Sequence, residues 1–311
     1  MKLFSKKIIF LFLIPTLSVV ICFKLIPIIY AFILSFYNAP LGMLEGFISF
    51  GNYRELLSSK DFYTVLLQTF YFVICALPFE IGIALFFAIL LNRQLKGLSL
   101  YRTVYFLPVV TSVVAVAIVW KWIFKVDGGL ANQFLGLFGS QGLKWLEEPR
   151  GIFILMANSL GFSIPSYLEG PSLALVSVIV FSVWKALGYN LIIFMSGLKN
   201  IPDELYEAAK IDGASNWQQF RHITLPLLSP TTFYILIMST IGTFQAFNQI
   251  YIMTEGGPIG TTKVIVYYLY EQAFDSHRMG YASAISLVLF VIILTLTLVQ
   301  RKVAEKRVFY G

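Results

Sequence analysis

Few residues of this chain stand where chemistry could be done. Glu80 and Lys185 lie inside long apolar runs, where an ionisable side chain is costly and marks a functional position by default. Around the lysine, Ser182, Lys185, Ala186 and Tyr189 recur at i, i+3, i+4 and i+7, the spacing of a single helical face. Ser239, Gly242, Thr243, Ala246 and Gln249 share a second face, with Gln245 and Asn248 beside them. Hydroxyls and amides among small residues suit a solute rich in hydroxyl groups, and Tyr189 adds an aromatic surface. The same residue types also serve plain helix packing in membranes. An unpaired Lys185 must face a wet cavity or an acidic partner, or else serve structure or gating. Glu80, two residues after Pro78, is read as packing or gating. Catalysis has no visible constellation. There is no G-x-x-x-x-G-K-[ST] to cradle a nucleotide, no H-E-x-x-H and no Cys-x-x-Cys, and the histidines are two, His222 and His277. The chain is therefore expected to bind no metal or cofactor and not to be an enzyme by itself.

A second kind of chemistry is suggested by a polar island at 203–226, between two apolar runs. Asp203 and Glu204 follow Pro202 and favour the positive end of a helix. Glu207-Ala208-Ala209 continues it, and Gly213 can end it with a left-handed residue. Ser215 and Gln218 form a capping box that starts a second short helix, and Pro226 permits the next span to begin. The expected product is a helix–turn–helix knuckle. Ala208, Ala209 and Gly213 let another protein approach closely, and Glu207 accepts hydrogen bonds from its basic groups. Tyr206, Asp212, Leu225 and Pro226 complete the candidate docking set.

The elements that must hold these residues are membrane spans. The chain has 311 residues, 58% hydrophobic and 13% charged, whereas a soluble domain has about a quarter charged. Six apolar runs, at 8–34, 64–91, 104–124, 172–198, 229–252 and 281–299, are each long enough to cross about 30 Å of hydrocarbon as a helix. The first run follows Lys2, Lys6 and Lys7 but is too long for a signal-peptide core, so it is expected to be retained. Lys and Arg set orientation. With the N-terminus inside, thirteen basic residues fall in the inner segments and eight in the longer outer ones. Both termini and the loop 199–228 are thus assigned to the cytoplasm, and 125–171 becomes a long outer loop. Within it, 152–164 is too short to span and is expected to lie at the interface or re-enter. Cys22 and Cys75 both sit in apolar runs and act as small hydrophobes. The net charge of +7 is topological and does not call for nucleic acid. Glu255-Gly256-Gly257-Pro258 is a rigid turn. Secondary transport would need inverted repeats and midplane carboxylates, and only Glu80 answers to that.

The whole pattern E-A-A-x3-G-x9-I-x-L-P, from Glu207 through Gly213 to Ile223, Leu225 and Pro226, resembles the signature of permease subunits of binding-protein-dependent ATP-binding-cassette importers. The words 201–206, 211–215 and 253–258, with Asn132 and Trp145-Leu146, are similar to those of the maltose-type carbohydrate permeases. The resemblance covers nearly the whole chain. It implies an all-α, six-helix type I importer permease with a coupling helix, working by alternating access as a heterodimer with a second, homologous permease. The implied partners are two ATPase subunits docked on the island, which hold the ATP and Mg, and an extracytoplasmic solute-binding protein. A bacterial or archaeal cytoplasmic membrane is implied as the location. The 182–189 and 239–249 segments match those lining the sugar site of that family, and oligosaccharides are the implied cargo. A glycerol-phosphate-type permease is the alternative, and a secondary transporter a weaker one. Compared with the maltose permease, this chain lacks extra N-terminal spans and a large outer domain, while 151–171 looks like an insertion.

Overall fold

The computed structural model describes residues 6–92, 98–139, 141–165 and 168–304. Of the basic residues used for orientation, Lys2, Arg93, Lys96, Lys306 and Arg307 lie outside them. In chain order the elements are α1 (Lys6–Val20), a π turn (Ile21–Leu25), α2 (Ile26–Leu34), β1 (Tyr37–Asn38), β2 (Gly46–Phe47), α3 (Gly51–Ser58) and α4 (Lys60–Leu91). There follow α5 (Leu98–Val110), α6 (Val113–Ile123), α7 (Leu130–Gly136), α8 (Ile152–Ser159) and α9 (Leu173–Lys199). Next come α10 (Asp203–Ile211), α11 (Asn216–Gln219), α12 (Leu225–Leu227), α13 (Ser229–Phe244), α14 (Asn248–Met253), α15 (Ile265–Tyr270) and α16 (Met279–Ala304). Four stretches are long and apolar enough to cross a membrane: Phe10–Leu34, Lys60–Leu91, Leu173–Lys199 and Met279–Val303. Two bent pairs raise the number to six when each counts as one span. The fold is that of an all-α membrane protein, with one two-residue hairpin among the described residues.

The chain divides into two packed units, the first made of Met1–Phe62 and Tyr268–Val291. Its opening span is almost bare, with 6% of its apolar window buried, as suits a lipid-facing helix. The π turn immediately precedes Pro27, whose missing N–H would otherwise bond back into it. Beyond it, β1 and β2 pair antiparallel with Tyr37 opposite Phe47. Asn52 of α3 is 5% exposed and donates to the carbonyls of Ser35 at 2.9 Å and Tyr37 at 3.0 Å. Gly280 opens α16 against the same strand, where an added Cβ would stand 2.2 Å from the Tyr37 oxygen. Arg278 reaches both carboxylate oxygens of Glu55, at 2.8 and 2.6 Å, and lies over the Tyr281 ring.

The second unit, Tyr63–Tyr267 with Ile292–Gly311, is built on α4 and α9. Two apolar clusters form along these rods. One gathers Phe72 and Ala76 of α4, Ala117 of α6, Val178 and Phe181 of α9 and Ile250 of α14. The other gathers Ala84 and Ala88 of α4, Leu191 and Phe194 of α9 and Ile235 of α13. Position 80 falls between them on α4, one turn from each.

Two expected spans are not straight. The run at 104–124 bends by 109° between Thr103–Val110 and Val113–Ile123. Pro108 removes a helical donor, Thr111 turns its hydroxyl back onto the carbonyls of Leu107 and Pro108, and Ser112 is extended at φ −60°, ψ 131°. The run at 229–252 ends as a helix at Phe244 and restarts at Asn248, with Phe247 between them at φ −138°, ψ −60°. Residues 239–249 therefore do not form one continuous helical face. In the segment 125–171, α8 has eight residues, about 12 Å of helix, and an antiparallel bridge links Gly151 to Ser172.

Replacing Asn52 with Ala leaves the carbonyls of Ser35 and Tyr37 without a partner. The expected cost is about 1–3 kcal/mol, measured as a lower midpoint of thermal unfolding for the detergent-solubilised protein.

Candidate functional site

Between the two apolar clusters of the second unit lies a cavity of about 350 Å³. Ser182, Lys185, Ala186 and Tyr189 line it from α9, and Ser239, Gly242 and Thr243 from α13, with Gln249 from α14. Eight of the eleven residues named on the two expected faces thus meet at one place. Gln245 and Asn248 do not line it. Both are exposed, in and just after the break that follows α13. Ala246 is 4% exposed and packs into the apolar cluster. The face expected to continue through 246 is interrupted, and the break itself brings Gln249 back to the cavity.

Sequence spacing did not find the rest of the wall. Phe72 and Glu80 enter from α4, Val113 from the start of α6, and Asn190 and Met238 from α9 and α13. No periodicity connects residues on separate spans. Asn190 does follow Ala186 at i+4 and Ser182 at i+8 on α9, so spacing and polar type were both available as signals. Asn190 donates to Ser239 Oγ at 3.3 Å, and Thr243 is tied to its own helix at the Ser239 carbonyl.

Lys185 lines the cavity and is held there by main chain. Its ammonium donates to the backbone carbonyl of Thr111 at 2.7 Å and to that of Pro108, the two carbonyls at the sharp bend. In a membrane, backbone groups freed by a broken helix must find partners within the protein. The lysine supplies them and so fixes α5–α6 to α9. The helices are close there, since a Cβ on Gly188 would stand 2.2 Å from the Tyr105 oxygen.

The island at 203–226 folds as a knuckle. Ser215 and Gln218 make both bonds of the capping box. At Gly213, φ is +79°. Its N–H bonds to the Lys210 carbonyl at 3.0 Å and that of Ala214 to the Ala209 carbonyl at 2.8 Å, the 5→2 and 6→1 pair of a Schellman motif. Nothing lies within 4 Å of a Cβ placed on Gly213, so the glycine answers a backbone demand and leaves open space outside. Glu207, Ala208, Asp212, Gly213 and Leu225 are exposed, and Ala209 and Pro226 half-buried. Tyr206 points inward. Its hydroxyl lies 2.9 Å from Thr224 Oγ1, and its ring packs on the apolar cluster shared by α4, α9 and α13. Ile211 is 87% exposed and Trp217 64%. These two residues had not been singled out, although bulky apolar side chains in a polar island were a visible signal. A cleft beneath the knuckle is lined by Ile89 of α4, Leu198 of α9, and Asp203 and Lys210 of α10.

On the other side of the cavity, Asn132 accepts from Leu143 N–H and the Trp145 indole and donates to the carbonyls of Val126 and Leu143, all at 2.8–3.0 Å. The turn at 255–258 is rigid, as expected. Glu255 and Gly256 have φ of 52° and 76°, and Tyr267 donates to the Glu255 carbonyl at 2.8 Å.

Residues 48–309 match the family of the binding-protein-dependent transport system inner membrane component. The chain belongs to that family. Among curated relatives, the probable ABC transporter permease protein YesP of Bacillus subtilis (strain 168) is 36% identical, over 96% of this chain and 91% of that protein. The lactose transport system permease protein LacF of Rhizobium radiobacter is 34% identical, over 96% of this chain and 94% of that protein. Among solved structures, a chain of a bacterial ABC transporter involved in the import of the acidic polysaccharide alginate superposes with a TM-score of 0.79 at 22% identity, covering 96% of this chain and 95% of that one. That likeness establishes the permease fold.

Lys185→Met is expected to leave the Thr111 carbonyl without its side-chain donor, the Pro108 carbonyl keeping the Thr111 hydroxyl, and to cost about 1–3 kcal/mol. A lower detergent melting temperature, with greater labelling of a cysteine placed at Val113, checks it.

Proposed function

We propose that this permease carries sugars, chiefly oligosaccharides, into the cell as one subunit of an ATP-driven, binding-protein-dependent importer. One observation supports the reading most: the cavity and the knuckle hang on the same two helices. Glu80 and Ile89 are nine residues apart on α4, as are Tyr189 and Leu198 on α9, about 14 Å along each axis. A push on the knuckle is delivered to the ends of the rods that line the cavity. The hydroxyl and amide lining suits sugar hydroxyls, and the relatives include a lactose permease.

The rest of the machine is supplied by other chains. A second, homologous permease completes the path through the membrane. Two ATPase subunits dock on the knuckle through Glu207, the small surface at Ala208 and Gly213, and the exposed Ile211 and Trp217. ATP and Mg²⁺ bind to those subunits, and this chain itself is not an enzyme. A solute-binding protein delivers sugar from outside. The chain lies in a bacterial or archaeal cytoplasmic membrane with both termini and the knuckle inside. Closure of the ATPases moves the knuckle and opens the cavity outward, and hydrolysis resets it. For that coupling the sugar must bind the two states with different affinity.

Glu207→Arg and Gly213→Val are each expected to reduce co-purification of the ATPase subunits and to reduce uptake in proteoliposomes by tenfold or more. Gly213→Asn, which tolerates the left-handed backbone, is expected to be the milder change. Full assembly and uptake in both Glu207→Arg and Gly213→Val would refute the docking role.

A further inference from the structure

Glu80 is the one member of the cavity wall that neither packing nor the broken helix explains. Its side chain is 5% exposed, on the α4 turn between the two apolar clusters, and it lines the cavity. Among the described residues, no hydrogen bond or ion pair engages it. A buried carboxyl group without a partner is costly, and it persists where something else completes it. The cation facing the same space is already committed, since Lys185 donates to the carbonyls of Thr111 and Pro108. Ser182 and Thr243 likewise spend their donors on their own helices, at the Val178 and Ser239 carbonyls, and Asn190 donates to Ser239. Among the described residues, Glu80 is thus the charged acceptor of the cavity wall with no donor of its own.

We infer that Glu80 is a specificity-determining residue, which accepts hydrogen bonds from solute hydroxyls and selects neutral, donor-rich oligosaccharides over acidic ones. The inference rests on the sugar-importer reading and deepens it. A neutral sugar brings several O–H donors to a carboxylate, and hydrogen bonds to a charged acceptor are the stronger kind. A solute bearing a carboxylate or phosphate brings a second negative charge beside the Glu80 carboxylate, and that charge is repelled at short range in a poorly screened setting. Aromatic walls from Phe72 and Phe181 provide the apolar faces against which a sugar ring packs.

The test uses the full complex, with partner permease, ATPases and binding protein, in proteoliposomes. Uptake is measured for a neutral trisaccharide and for the same trisaccharide carrying one uronate carboxylate, with wild type and Glu80→Gln. The binding protein is identical in both preparations, so a change in the ratio of the two uptakes reports the permease. A ratio taken within one preparation is also independent of how much complex has folded. The wild type is expected to favour the neutral sugar. Glu80→Gln is expected to raise its apparent KM about tenfold, the loss for one charge-assisted hydrogen bond, and to narrow the ratio several-fold. An unchanged KM and ratio in Glu80→Gln, or a wild type that prefers the uronate sugar, overturns the assignment while leaving the importer reading intact. A wild-type complex that hydrolyses ATP but takes up no carbohydrate overturns both.

Discussion

The second unit depends on how a broken helix is satisfied by groups of the protein itself. The run through Pro108 and Ser112 turns by 109°, and at that turn the backbone exposes carbonyls that have lost their helical donors. In hydrocarbon each would be worth several kcal/mol against the fold. The Lys185 ammonium takes up those of Thr111 and Pro108, and the Thr111 hydroxyl gives Pro108 a second donor. The bend is then free to send α6 across the bundle, where Ala117 packs with Phe72, Val178 and Ile250, and to place Val113 in the cavity wall. The break after Phe244 does the same for α14. A cavity survives between two well-packed clusters because two of the helices around it are interrupted at its level.

That arrangement separates stiffness from adaptability. α4 and α9 run unbroken past the cavity, with 32 and 27 residues, and they carry the knuckle at one end. The knuckle is itself kept rigid by short-range chemistry: the capping box, the Schellman pair at Gly213 and the inward Tyr206–Thr224 contact. A surface loop of similar length without these bonds would be softer than this one.

Local features were legible in the sequence, and long-range ones were not. The capping box and the glycine stop depend on neighbours within about four residues, and the structure has them where the spacing put them. The helical face at 182–189 was equally readable, because α9 is straight. The face at 239–249 failed in part, since periodicity assumes an intact helix and nothing at 245–247 announces a break. Pro108 did offer a warning of the other bend, but many membrane helices carry proline through. Lys185 was read from its charge as facing a wet cavity or an acid, or as serving structure or gating, and it does line the cavity. The partner turned out to be main chain, which sequence composition does not display. Glu80 and Asn190 were legible as residue types but not as neighbours, because they come from different spans.

Sharing a fold with an importer of an acidic polysaccharide, at 22% identity, carries little information about cargo, because the fold and the lining are under different constraints. The two apolar clusters and the knuckle are satisfied by sequence changes that conserve volume and capping. The lining must instead balance donors and acceptors against a particular solute. In this chain the balance is uneven. The cation is spent on main chain and several hydroxyls on their own helices, so one carboxyl group is left to be completed from outside. The polarity of what passes is thus set by which wall groups the scaffold has already used, and the broken helix, by consuming the lysine, helps to decide it.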